Sequence, residues 1–144
     1  MAYWYFPSNK NVFDMVRCLN ERDEIDQPFF SHLVKRTANV GDIVFVYVTE
    51  PFGQILYKME VTEVFGSFDD VNQGRWAKYA GRGVAPSKGH WARLRFLDNS
   101  EPAHRPLQPA GLRANDIHTS AGIYPLSREK AAYIESQFAA SKAN

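Results

Sequence analysis

The sequence predicts an α+β fold, a small mixed and strongly bent sheet or barrel with flanking helices. Three observations carry this. The two clearest strand patterns, residues 42–50 (DIVFVYVTE) and 55–65, are separated by a loop of hairpin length. The strands follow one another as hairpin partners rather than as strand–helix–strand units. Helical periodicity is confined mainly to two stretches, residues 11–20 and 128–140.

Residues 3–7 open with Tyr3-Trp4-Tyr5-Phe6, a short strand that stops at Pro7, Ser8 and Asn9. Val12, Met15, Val16 and Leu19 then recur at helical spacing, with Asn11 as the expected N-cap and Asp14 near the favourable helix end. Residues 20–42 read as a connection interrupted by Pro28, with a helical turn around Phe30 to Leu33. In the 42–50 strand, Ile43, Phe45, Tyr47 and Thr49 face one way and Val44, Val46 and Val48 the other. Both faces are apolar, so this strand is expected to be central and covered on both sides.

The turn Glu50-Pro51-Phe52-Gly53-Gln54 contains both strong turn formers. Beyond it, Ile55, Tyr57, Met59 and Val61 alternate with Leu56, Lys58, Glu60 and Thr62, the pattern of a half-buried antiparallel partner. Residues 66–89 are glycine-rich and irregular, with a short helical piece expected around Trp76 to Tyr79. Residues 90–97 form another strand, with Ala92, Leu94 and Phe96 toward the core and Trp91, Arg93 and Arg95 on the other face. Pro102, Pro106 and Pro109 mark 98–113 as a surface loop. Ser127 caps a last helix with Ala131, Ile134 and Phe138 on its buried face, and residues 141–144 are expected to fray.

The chain has 144 residues, the length of one domain (residues 1–144), with 44% hydrophobic and 23% charged residues. A net charge of +1 gives no global field toward nucleic acid, so any such role needs a local patch. The single cysteine, Cys18, excludes an internal disulfide. No apolar run approaches the roughly 18 residues of a membrane span, and no signal-peptide pattern opens the chain. A cytoplasmic protein is the expectation.

No catalytic constellation stands out. His32, His90, His104 and His118 are far apart and share no metal-ligand spacing with one another or with Cys18. Gly81-Arg82-Gly83 begins like a dinucleotide fingerprint but has Pro86 where the third glycine belongs. No cofactor and no metal are expected. A binding role is better supported. Arg75, Lys78, Arg82, Lys88, Arg93 and Arg95 occur in one stretch without an acidic residue, interleaved with Trp76, Tyr79, Trp91 and Phe96. Cations beside stacking planes suit a nucleic-acid backbone and its bases, although a solvated basic loop has the same composition.

The stretches YWYFPSN and VGDIVFVYVTEPFGQILYKMEVTEV closely resemble the EVE domain of the PUA-like superfamily. The first matches that family's opening strand, the second its glycine-aspartate entry and following hairpin. The resemblance covers most of the chain and is specific at 3–9 and 40–64. The longer glycine-rich signature of the commonest EVE branch is missing. The resemblance implies a PUA-like pseudobarrel of about five or six strands with helices around it. Relatives such as the YTH family hold a modified base in an aromatic cage, and EVE domains are linked with modified cytosine in DNA and some with RNA.

By this resemblance the protein is a non-catalytic reader that accommodates a flipped, modified base, with a separate nuclease partner supplying any cleavage. The implied pocket comprises Pro7, Ser8 and Asn9 at the end of the first strand and the 27–31 segment with Phe29, Phe30 and Ser31. Tyr47 and Thr49 complete its wall, and Trp4 lies in the wall or the core. The alternatives are a small nuclease or hydrolase of the related ASCH kind, dependent on Lys58, Arg93 or Arg95, and a small-molecule-binding module.

Overall fold

The computed structural model describes residues 1–10, 13–28, 38–65, 78–80, 91–120 and 122–143. Among the described residues, six strands form one mixed sheet: β1 (Tyr3–Ser8), β2 (Glu24–Pro28), β3 (Ile43–Val48), β4 (Gln54–Phe65), β5 (Trp91–Asn99) and β6 (Tyr124–Leu126). Their order is β2-β5-β4-β3-β1-β6. β1 runs parallel to β3, with Tyr3 opposite Ile43 and Ser8 opposite Val48, and the other pairs are antiparallel. The α+β expectation holds. So does the central place of β3, all six residues of which are buried.

Among the described residues, two cores lie on the two faces of β3. One gathers Trp4, Phe6, Val44, Val46, Met59, Leu94 and Trp91 with Met15 and Cys18 of helix α1 (Met15–Glu21). The other gathers Tyr5, Phe45, Tyr47 and Ile55 with Leu107, Leu112, Ile134 and Phe138. The period-2 alternation of β1 and β3 assigns each residue to its core.

Helix α1 starts later than its apolar spacing suggests. Its cap is Asp14, whose carboxylate accepts from the Arg17 N–H at 3.1 Å. Just before it, Phe13 makes an isolated antiparallel bridge to Ala80 and donates its N–H to the Asn9 carbonyl, so it is not helical. Asn11 and Val12 lie outside the described residues, as do the expected turn at Phe30 to Leu33 and most of 66–89. Lys78 and Tyr79, the described end of the expected helical piece, are helical.

Residues 98–113 are not simply a surface loop. They contain a 3-10 turn, Arg105–Leu107, and a short helix α2, Pro109–Arg113, with Leu107 and Leu112 fully buried. Proline lacks an N–H that the first helical turn would leave unpaired, so Pro106 and Pro109 start these elements instead of excluding them. The last helix, α3 (Arg128–Lys142), is capped by Ser127 as expected, with Oγ accepting from the Lys130 N–H at 3.2 Å. It continues past residue 140, and Ser141 Oγ accepts from the Glu101 N–H at 3.0 Å, so Ser141 is anchored rather than frayed.

The face assignments of β4 and β5 need correction. Val46 pairs with Tyr57 and Tyr47 with Ile55, which leaves Leu56 as an extra residue in β4. This bulge puts Ile55 in one core and both Leu56 and Tyr57 in the other. A second shift at Thr62 and the pairing of Phe65 with Trp91 bring Trp91 into the core with Ala92 and Leu94.

Candidate functional site

The parallel pairing of β1 with β3 brings the ends of these two strands side by side. Thr49 donates its N–H to the Ser8 carbonyl at 3.0 Å, and its hydroxyl lies 3.4 Å from the same oxygen. The chain then turns back into β4. Gly53 closes this turn with φ +59°, a left-handed conformation that favours glycine, and donates to the Val48 carbonyl at 2.9 Å. The turn brings Glu50, Pro51 and Phe52 over the strand ends, opposite the start of α1.

Between these parts lies a cavity of about 250 Å³. Ser8, Phe13, Met15, Val16, Val48, Pro51 and Phe52 line it, with Lys10, Asp14 and Glu50 among the charged contributors. Ser8 is only 6% exposed, and its hydroxyl has no hydrogen-bond partner among the described residues. A buried hydroxyl is costly to leave unpaired, by about 1–3 kcal/mol, so a partner supplied by a ligand has a ready place here. Phe13 is fixed edge-on to Tyr79, with ring centres 6.0 Å apart.

A second cavity of about 450 Å³ adjoins the first and shares Val16 and Phe52 with it. Tyr57 lines this one. Burial, followed by the negative charge of Asp14, pushes its phenol up to about 12.

Several expected site residues are placed elsewhere. Trp4 is 1% exposed, and its indole N–H donates to the Asp42 carboxylate at 2.9 Å; it belongs to the core. Tyr47 lies on the opposite face of β3 from Val48, in the second core beside Tyr5. Pro7 pairs with Tyr47 in register, and Asn9 is exposed, its carbonyl accepting from Phe13. Thr49 contributes to the strand-end clasp. Phe29, Phe30 and Ser31 lie outside the described residues. Of the expected pocket, Ser8 is the side chain brought into the described cavity. Lys10, Phe13 and Phe52 were missed, although an aromatic beside Pro51 in a short turn was a usable signal.

The described members of the basic stretch are already paired. Arg93 donates Nε to the fully buried Asp26 at 2.8 Å and Nη1 to Glu63 at 2.9 Å, and its guanidinium lies 5.1 Å from the Phe65 ring centre. The hydrogen bond to Asp26 raises its pKa further. Arg95 pairs with Glu60 at 2.5 Å. Lys78 Nζ lies 2.9 Å from Glu21, which also accepts from the Tyr79 hydroxyl. These contacts, the tyrosine's first, hold the Glu21 carboxyl below its ordinary range. Lys58 is likewise paired, 3.0 Å from Glu135. These cations tie strands and helices together. Arg75, Arg82 and Lys88 lie outside the described residues.

No family model and no curated protein matches the sequence. Solved structures do match. An ASCH protein from Zymomonas mobilis superposes with a TM-score of 0.62 at 10% identity, covering 94% of each chain. The DUF55 domain of human thymocyte nuclear protein 1 gives 0.58 at 12%, covering 99% of this chain and 100% of that one. The fold is PUA-like. A third PUA-like neighbour is the YTH domain of a Zygosaccharomyces rouxii protein, solved in complex with N6-methyladenosine RNA. It gives a TM-score of 0.54 at 12% identity and covers 94% of this chain and 86% of that one. At these identities the likenesses show the fold alone, and they do not single out the EVE domain.

Proposed function

We propose that this protein is a non-catalytic nucleic-acid reader of the EVE kind, which takes one flipped base into the cavity at Ser8. The observation that carries this reading is the Ser8 hydroxyl, buried and unpartnered among the described residues, in a cavity of about 250 Å³ walled by Phe13, Val48 and Phe52. That volume is below the roughly 300–1,000 Å³ of pockets for drug-sized ligands, and so suits a single heterocycle. A flipped base needs stacking surfaces and a few polar groups at its edge.

The charges favour a base with an exocyclic amino group. Asp14 and Glu50 can accept from an exocyclic amino group, as carboxylates do from the cytosine N4 amine. The same carboxylates repel phosphate, so the base enters and the backbone stays outside, where Lys10 can meet it. The wall of Phe13, Val48 and Phe52 can bury a methyl group, which fits the modified cytosine in DNA that the EVE resemblance favours. A hydrolase of the ASCH kind is less well supported, because Lys58, Arg93 and Arg95 are each held by carboxylates.

The test is fluorescence-anisotropy titration of short single strands carrying cytosine or 5-methylcytosine, at low salt. Burial of one methyl contributes about 0.8 kcal/mol, so a preference of about fourfold is expected. Ser8→Ala should weaken binding by about 2- to 12-fold, the range for one net hydrogen bond, with melting unchanged. Absence of binding, or binding indifferent to both the methyl group and Ser8, overturns the reading.

A further inference from the structure

The first cavity does not end at α1. Val16 and Phe52 stand between it and the second, so each contributes to both walls. The second cavity is nearly twice as large, at about 450 Å³ against about 250 Å³. Its lining contains no charged side chain, which makes it unsuited to phosphate or a carboxylate ligand.

Its walls can hold a ring. Phe96 stands edge-on to Tyr57, with ring centres 6.1 Å apart and planes at 76°. Phe52 lies on the side shared with the first cavity. Tyr57 is 8% exposed, and its hydroxyl has no hydrogen-bond partner among the described residues. This is the same unusual condition as Ser8 shows next door. Burial and the Asp14 charge keep that phenol protonated, so it remains a hydrogen-bond donor. Asn20 adds an amide group of the type that reads base edges, and Asn99 adds a second whose Nδ2 already donates to the Ser100 carbonyl at 3.2 Å. By contrast, the Ser100 hydroxyl is already satisfied by the Ile55 carbonyl at 2.7 Å and the Gln54 amide at 2.9 Å.

We propose that the second cavity is a subsite for the base adjacent to the flipped one, so that the protein reads two consecutive bases of one strand across Phe52. This rests on the reading of the first cavity as a base pocket. Consecutive bases are joined by a short tether, and two adjoining chambers, each with one buried hydroxyl that has no hydrogen-bond partner among the described residues, match a dinucleotide better than one enlarged base. Tyr57 then acts as a specificity-determining residue, donating to a ring nitrogen or carbonyl of the neighbour.

The ligand itself supplies the cleanest test. Single strands with one 5-methylcytosine are titrated with the 5′ or the 3′ neighbour replaced by an abasic nucleotide. Loss of the stacked neighbour should weaken binding by about 5- to 150-fold on one side of the methylcytosine and not on the other. Tyr57→Phe should remove part of the neighbour's contribution, by about 2- to 12-fold, and have no effect once that neighbour is abasic. The free nucleoside, whose binding depends on Ser8 but not on Tyr57, reports on the first cavity alone. Nucleoside binding with no penalty from either abasic position overturns the two-base site and leaves the base pocket standing. A neighbour effect that Tyr57→Phe does not alter removes Tyr57 from the subsite and overturns the proposal. If neither nucleoside nor strand binds, both readings fall.

Discussion

Asp42 shows how a single buried carboxylate can decide the role of an aromatic. It is 2% exposed and accepts three hydrogen bonds, from the Ala2 N–H, the Trp4 indole N–H and the Asn39 N–H, each at 2.9 Å. That geometry fixes the start of β1 against the entry to β3, and it spends the polar atom of Trp4 on the scaffold. Removing the acceptor with Asp42→Ala would orphan all three donors. At about 1–3 kcal/mol per buried unsatisfied group, a loss of about 3 kcal/mol or more is expected in denaturant unfolding. Trp4→Phe should cost about 1–3 kcal/mol, yet leave oligonucleotide affinity unchanged below the melting transition. An affinity loss without loss of stability would instead return Trp4 to the pocket wall. Sequence alone could not separate these roles. An aromatic at the start of a strand fits a core or a cage equally well, and its partner lies 38 residues away.

At the scale of the element, what was legible follows from period and caps. β3 reads as a doubly covered strand because both of its faces are apolar, and α3 reads correctly because Ser127, Ala131, Ile134 and Phe138 carry its start and its stripe. What was not legible depends on pairing. β2 and β6 are short strands that exist through their partners: Asp26 sits opposite Arg93, and Tyr124 opposite Tyr5, with ring centres 4.8 Å apart. The β4 bulge belongs to the same class, since an extra residue has no signature in a run of alternating side chains. It has a direct consequence for Leu56. Regular alternation groups Leu56 with Lys58 and Glu60, away from Tyr57, where truncation would cost little. The bulge instead buries Leu56 at 4% exposure beside Tyr57 and the second cavity. Leu56→Ala should therefore destabilise by about 2–5 kcal/mol, the range for a core leucine. A change within about 0.5 kcal/mol, typical of a surface site, would contradict the bulged register.

At the scale of the whole molecule, the sheet between two cores shelters an unusual share of phenols. Burial raises the pKa of Tyr5, Tyr47, Tyr57, Tyr124 and Tyr133, with Tyr57 and Tyr124 each pushed up to about 12. Tyr124 donates to the His118 carbonyl at 2.6 Å, and Tyr5 lies 3.4 Å from the Ser120 carbonyl, so both are neutral donors in the folded state. In the unfolded chain these phenols ionise near pH 10. Above that pH the unfolded state has lost protons that the folded state keeps, so stability must fall as pH rises. The raised phenols contribute fully below about pH 10, and for Tyr57 and Tyr124 the contribution is lost as pH rises toward about 12. Melting temperature should then decline above about pH 10, and most of the phenolate absorbance of the seven tyrosines should appear together with loss of the near-ultraviolet circular dichroism signal. Tyr124→Phe should make the alkaline decline shallower, because it removes one group that ionises only on unfolding. Gradual phenolate formation centred near pH 10, complete before any unfolding, would show that these rings are open to solvent and that the two cores do not enclose the sheet.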